Sequence, residues 1–161
     1  MKLLEEDFLF QNSTFSIIGL EITYPKAKVA EILAGIDDHV KKILLYHLYI
    51  DFAFMAGIFP GIASLSMLAR KKYTSSILRK LLLITAFSQF VAWAFDITEN
   101  LYLIKWTSGH EIGPDFSFYH AVVTSKWIIA IAGFMVGIFF LLKNREKQFF
   151  KFSPTTLLCK K

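Results

Sequence analysis

Five polar side chains interrupt apolar stretches where a charge is expensive: Asp51, Asp96, Glu99, Asn100 and Lys126. Carboxylates beside an amine in a low-dielectric setting can hold and pass a proton, bind a cation, or act as base and electrostatic stabiliser. The same groups can also form a neutralised ion pair that fixes helix register. A single Asp–Lys pair favours the register role. Three carboxylates, an amide and one lysine exceed what register requires.

The stretches that carry them are of membrane length. Crossing a bilayer takes roughly 20 mainly apolar residues, and three segments meet that length: Ile43–Ala69, Leu81–Ile104 and Phe118–Leu142. In the second, Thr85, Ser88, Gln89, Ala92, Asp96, Glu99 and Asn100 recur at helical spacing and form one polar stripe, which must face a protein interior because lipid offers no hydrogen-bond partner. Helix rise places Asp51 and Glu99 roughly 9 Å, Lys126 about 12 Å and Asp96 about 13 Å below one membrane boundary. One cluster is therefore expected in the outer half of the bilayer, with Tyr46, His47, Tyr102 and His120 at its rim. Carboxylates this crowded should not all ionise, so the set is expected to hold a proton or an added cation.

Composition agrees with the class. Of the 161 residues 55% are hydrophobic, 17 of them Phe, which is more apolar surface than a soluble domain of this size hides. The expected fold is all-α and membrane-integral, with three transmembrane helices and an N-terminal amphipathic or interfacial arm. The corresponding divisions are an extracytoplasmic arm over 1–42, a three-helix bundle over 43–142 and a basic cytoplasmic tail over 143–161. The net charge of +5 does not point to nucleic acid, because its sources are grouped at segment ends. Arg70, Lys71, Lys72, Arg79 and Lys80 fill the first connection, and Lys143, Arg145, Lys147, Lys151, Lys160 and Lys161 follow the last span. With three crossings both groups share one side, which should be cytoplasmic, leaving the N-terminus outside. They are topology signals and anionic-lipid contacts.

Around this frame, Phe15–Tyr24 mixes β-branched and aromatic residues in a strand-like way. Val29, Ile32, Leu33, Ile36, Val40 and Ile43 then recur as one face of an amphipathic helix that lies on the interface, caps the bundle or runs into the first span. Pro60 should kink that span. Ala53, Gly57 and Gly61, and Ala130, Gly133 and Gly137, are small-residue stripes that allow close helix approach, within a chain or between copies. Cys159 stands alone, which leaves no disulfide within one chain. Glu5, Glu6 and Asp7 interrupt the region where a cleavable signal peptide would begin. No nucleotide, metal or nucleophile motif is present, and the sequence names no cofactor.

The runs Tyr49–Phe54, Phe95–Asn100 and Ser125–Trp127 carry an Asp followed by aromatics, a D-x-x-E-N and a Lys-Trp in successive spans. This pattern, together with Leu20-Glu21-Ile22-Thr23 before an amphipathic helix, resembles a group of small uncharacterised bacterial multi-pass membrane proteins. Members of that group often carry an additional N-terminal span, which is missing here. The resemblance implies a bacterial inner-membrane location and treats Asp51, Asp96, Glu99, Asn100 and Lys126 as one unit. It implies no activity. Three functions remain open: proton- or cation-linked transport or conduction by a homo-oligomer; an accessory subunit of a larger membrane complex, with the cluster as a lock; and a membrane-embedded enzyme acting on a lipid or isoprenoid head group. In the last, Asp51 or Glu99 would be base or Mg²⁺ ligand and Lys126 an electrophilic stabiliser.

Overall fold

The computed structural model describes residues 8–10 and 13–151. Glu5, Glu6, Asp7, Cys159 and the end of the basic tail lie outside the described residues. Among the described residues the regular structure is helical apart from a minimal hairpin that pairs Leu9–Phe10 with Ser13–Thr14. A wide helical turn, Gly19–Thr23, follows. Among the described residues four helices come next: α1 (Lys26–Gly35), α2 (Asp38–Lys71), α3 (Ser76–Thr107) and α4 (Phe116–Lys151). Three helical segments, Asp38–Lys71, Ser76–Thr107 and Phe116–Lys143, are long and apolar enough to cross a membrane.

Each of α2, α3 and α4 packs against the other two, and the bundle is polar inside and apolar outside. Gln89, Asp96, Glu99, Asn100 and Lys126 are buried, whereas Ile84, Phe87, Ile128 and Met135 are exposed. Water would penalise that arrangement and hydrocarbon would not, because lipid solvates apolar side chains and strands polar ones. Tyr73 in the α2–α3 connection donates its hydroxyl hydrogen to the Phe140 carbonyl at 3.1 Å. This contact puts the first basic group and the far part of α4 at one end of the bundle.

The arm occupies the opposite end. Phe8, Phe10, Phe15, Ile17 and Leu20 are buried together with Val29, Ile32 and Leu33 of α1, against Leu44, Leu48, Leu103 and Tyr119 of the bundle. Phe8 stacks on Phe15 at 5.3 Å and meets the His47 ring edge-on at 6.0 Å. The arm is thus a cap on the bundle. Two local expectations are corrected. In the strand-like stretch Phe15–Tyr24, Phe15 extends the hairpin, its amide donating to the Phe8 carbonyl at 3.0 Å, but the helical turn follows and its apolar side chains bury against the bundle end. The amphipathic pattern does not run unbroken into the first span either. Ile36 is extended, and the Asp37 side chain accepts a hydrogen bond from the Val40 amide at 2.8 Å, ending one helix and capping the next. The boundaries at 42/43 and 142/143 accordingly fall inside α2 and α4, whose polar turns extend the helices past their apolar segments. Pro60 lies within α2 without ending it.

The two small-residue stripes have different uses. A side chain at Gly133 would run into the Gln89 amide, and one at Gly137 would lie 3.1 Å from Leu65 Cβ, so these glycines let α4 approach α3 and α2. Nothing lies within 4 Å of the equivalent point on Gly57 or Gly61, and with Ala53 they form an exposed strip on α2.

Candidate functional site

Lys126 of α4 is the centre of the buried polar group. Its amine donates to Asp96 Oδ1 of α3 at 2.8 Å, is paired with Glu99 Oε2 one turn further along the same helix, and lies 3.6 Å from Glu21 Oε2. Spacing of three places Asp96 and Glu99 on adjacent turns facing one lysine. Burial is deep: the side chains of Lys126 and Glu99 are 7% and 0% exposed. Asp51 reaches the group from α2 by a different link. Its Oδ2 accepts from the Asn100 amide at 2.9 Å, and it has no ion pair with Lys126. The structure therefore brings Asp96, Glu99 and Lys126 into direct contact, with Asp51 and Asn100 as an adjoining hydrogen-bonded pair.

Glu21 is the member that sequence reasoning did not single out as a site residue. It sits on the helical turn of the cap and dips towards the bundle, where Trp127 Nε1 donates to its Oε2 at 3.3 Å. Burial pushes its carboxyl above the ordinary value of 4.5, a rise that Lys126 opposes and Asp96 reinforces. A signal was present. Glu21 is the only charge in the apolar run Phe15–Ile22, the criterion that picked out the other four charged residues. With Glu21 included, three carboxylates, Asp96, Glu99 and Glu21, share the Lys126 amine, and a fourth, Asp51, adjoins them through its bond to Asn100.

Beside the cluster lies a cavity of about 420 Å³ between α2 and α4, roofed by the arm. One end is polar, formed by Glu21, His47, Asp51, Asp96 and Lys126; the other is formed by Phe54, Met55, Ile58, Phe59 and Ala130. Ile18, Phe54 and Ile58 line it and remain 55%, 53% and 40% exposed, so its mouth opens sideways through the bundle wall.

The four rim residues disperse. His47 lines the cavity and is buried. Tyr46, one residue earlier and about 100° around the helix, points away and is 70% exposed. Tyr102 packs in an aromatic group with Trp106, Phe118 and Tyr119. His120 is exposed and hydrogen-bonds through Nε2 with the Ile22 carbonyl at 3.2 Å; it helps hold the cap, as does the Tyr119 hydroxyl on the Leu20 carbonyl at 3.4 Å. Among the described residues no group of three or more His, Cys, Asp or Glu is arranged to hold a metal ion.

Chemically, the arrangement can store a proton among crowded carboxyls and present a carboxylate to a cation. No protein-family model, curated protein or solved structure matches this chain.

Proposed function

We propose that the chain is an integral membrane protein whose cluster and cavity form a proton- or cation-exchanging site, and that it works in proton- or cation-linked transport as an oligomer. One observation carries this reading: the buried cluster is unbalanced, with four carboxylates to one lysine, and it opens onto a cavity. A purely structural lock would gain most from a neutral, closed pair, since excess buried charge costs stability. Three helices enclose little space for a pathway, so the reading requires association between copies, for which the exposed Ala53, Gly57 and Gly61 strip is available.

In this reading the bundle sits in a bacterial inner membrane, as the resemblance implies, with the C-terminus inside and the arm and cluster outside; the basic groups at one end support that orientation. Cysteines introduced at Ser76 and Ser108 should then label from opposite faces of intact cells, Ser108 from outside; labelling of both from one face rejects this orientation.

The apolar half of the cavity supports a second reading, an enzyme acting on a lipid head group. It ranks lower because Lys126, the group that would stabilise a developing anion, is already occupied by three carboxylates.

The test is flux. Protein reconstituted into liposomes containing a pH-sensitive dye should conduct or exchange protons under a potassium diffusion potential. Glu99→Gln should abolish that flux while the protein stays folded. Wild-type flux equal to that of empty liposomes, under potentials of both signs, would remove the transport reading.

A further inference from the structure

We infer that the cavity binds an amphiphile with an ammonium head group, the head at Asp51 and the hydrocarbon chain along the apolar half. The inference rests on the reading of this cavity as the exchange site and supplies the class of its ligand.

Head-group charge follows from which groups are already engaged. Lys126 is spent on Asp96, Glu99 and Glu21. An anionic head would therefore enter among excess carboxylates with no unengaged lysine to meet it. Asp51 is the complement. It lines the cavity, is only half-buried, and its hydrogen bond is to an amide, with no Lys or Arg paired to it among the described residues. Asp96 lies near enough to add to the field there.

The chain follows from shape. From Asp51 to Phe59 the helix advances about 12 Å, and over that length the lining changes from carboxylate to Phe54, Met55, Ile58 and Phe59, with Ala130 opposite. A volume of about 420 Å³ lies within the range of roughly 300–1,000 Å³ that holds small organic ligands. A bare inorganic cation would leave the apolar half without a role. The exposed sides of Phe54 and Ile58 let a chain enter laterally from hydrocarbon, without crossing water.

Protein in phosphatidylcholine nanodiscs is titrated with radiolabelled decylamine, protonated at neutral pH, and the partition into empty nanodiscs is subtracted. Saturable binding is expected, with decanol and decyl phosphate competing roughly tenfold worse or less, because neither supplies a cation to the carboxylate. Asp51→Asn should weaken decylamine binding by a similar factor. Ile58→Trp, a change on the exposed side wall away from the ion cluster, should block the chain site even if Asp51→Asn fails to fold. Equal competition by decanol overturns recognition of the head, and stronger competition by decyl phosphate assigns the site to an anionic lipid. Wild-type affinity in the Ile58→Trp variant, or no saturable binding at all, overturns the site. None of these results bears on proton flux, which is measured separately, so failure here is distinguishable from failure of the transport reading.

Discussion

Replacing Lys126 with Met keeps most of the side-chain volume and removes the only ammonium group among three contacting carboxylates. The cost can be worked in two ways. Breaking a buried ion pair from one side typically costs about 3–5 kcal/mol, because the orphaned charge stays in low dielectric. Alternatively, the orphaned Asp96 takes up a proton. Holding a carboxyl with an ordinary pKa of about 3.9 neutral at pH 7 costs about 4 kcal/mol, against about 1.5 kcal/mol at pH 5. The two routes agree at neutral pH, and the second adds a signature: the penalty should shrink by more than half on acidification. Reversible unfolding in mixed micelles of increasing sodium dodecyl sulfate content, followed by tryptophan fluorescence, measures both. The geometry also names the compensating change. Lys126→Met with Asp96→Asn should recover part of the loss, because Asp96 is one of the three carboxylates on the amine and accepts its hydrogen bond at 2.8 Å. Lys126→Met with Asp51→Asn should recover none, because Asp51 is bonded to Asn100 instead. A single-variant loss below about 1 kcal/mol, or rescue by Asp51→Asn equal to that by Asp96→Asn, would refute the reasoning.

Two further outcomes follow from the same geometry. Gly133→Leu should destabilise the fold by about 1–3 kcal/mol through overpacking against Gln89, whose amide also bridges to the Ile129 carbonyl. Gly57→Leu, facing open space, should change unfolding by less than about 0.5 kcal/mol while weakening self-association in chemical crosslinking; equal destabilisation by both contradicts the assignment of the two stripes. The Glu21 carboxyl is raised above 4.5 by burial, so its neutral form is the one the fold prefers. That contribution is complete below about pH 4.5 and is lost as pH rises through the folded-state value. The thermal midpoint of the wild type should therefore fall relative to Glu21→Gln as pH increases from about 4.5, and a pH-independent difference would contradict it.

The long elements were legible because hydrophobic length and the 3.6-residue period determine them directly: the polar stripe on α3 can face only inward, and Gln89, Asp96, Glu99 and Asn100 are all buried. Rise per residue sufficed to put Asp96, Glu99 and Lys126 at one level. Rotation was harder to read. Tyr46 and His47 are equally good rim residues by depth, yet one side of α2 faces the cavity and the other does not. Partner choice within the group was also illegible, since depth alone cannot tell whether Asp51 meets Lys126 or Asn100. The arm was the least readable part. Its side chains bury against surfaces contributed by residues a hundred positions away, so no local period announces that Phe15–Tyr24 turns helically or that Glu21 comes down onto Lys126.

That separation along the chain has a consequence for biogenesis. Glu21 and Trp127 are 106 residues apart, and Lys126 emerges from the ribosome after both carboxylates of α3. While α3 enters the membrane, Asp96 and Glu99 have no counter-charge, and an acidic residue at mid-span disfavours insertion by about 2.5–3.5 kcal/mol. Helix α3 is thus a poor independent passenger. It is best retained beside α2, where Asn100 can already find Asp51, until α4 delivers its lysine. Glu21 precedes Lys126 by more than a hundred residues, so the cap has no cation to close over until α4 has been made.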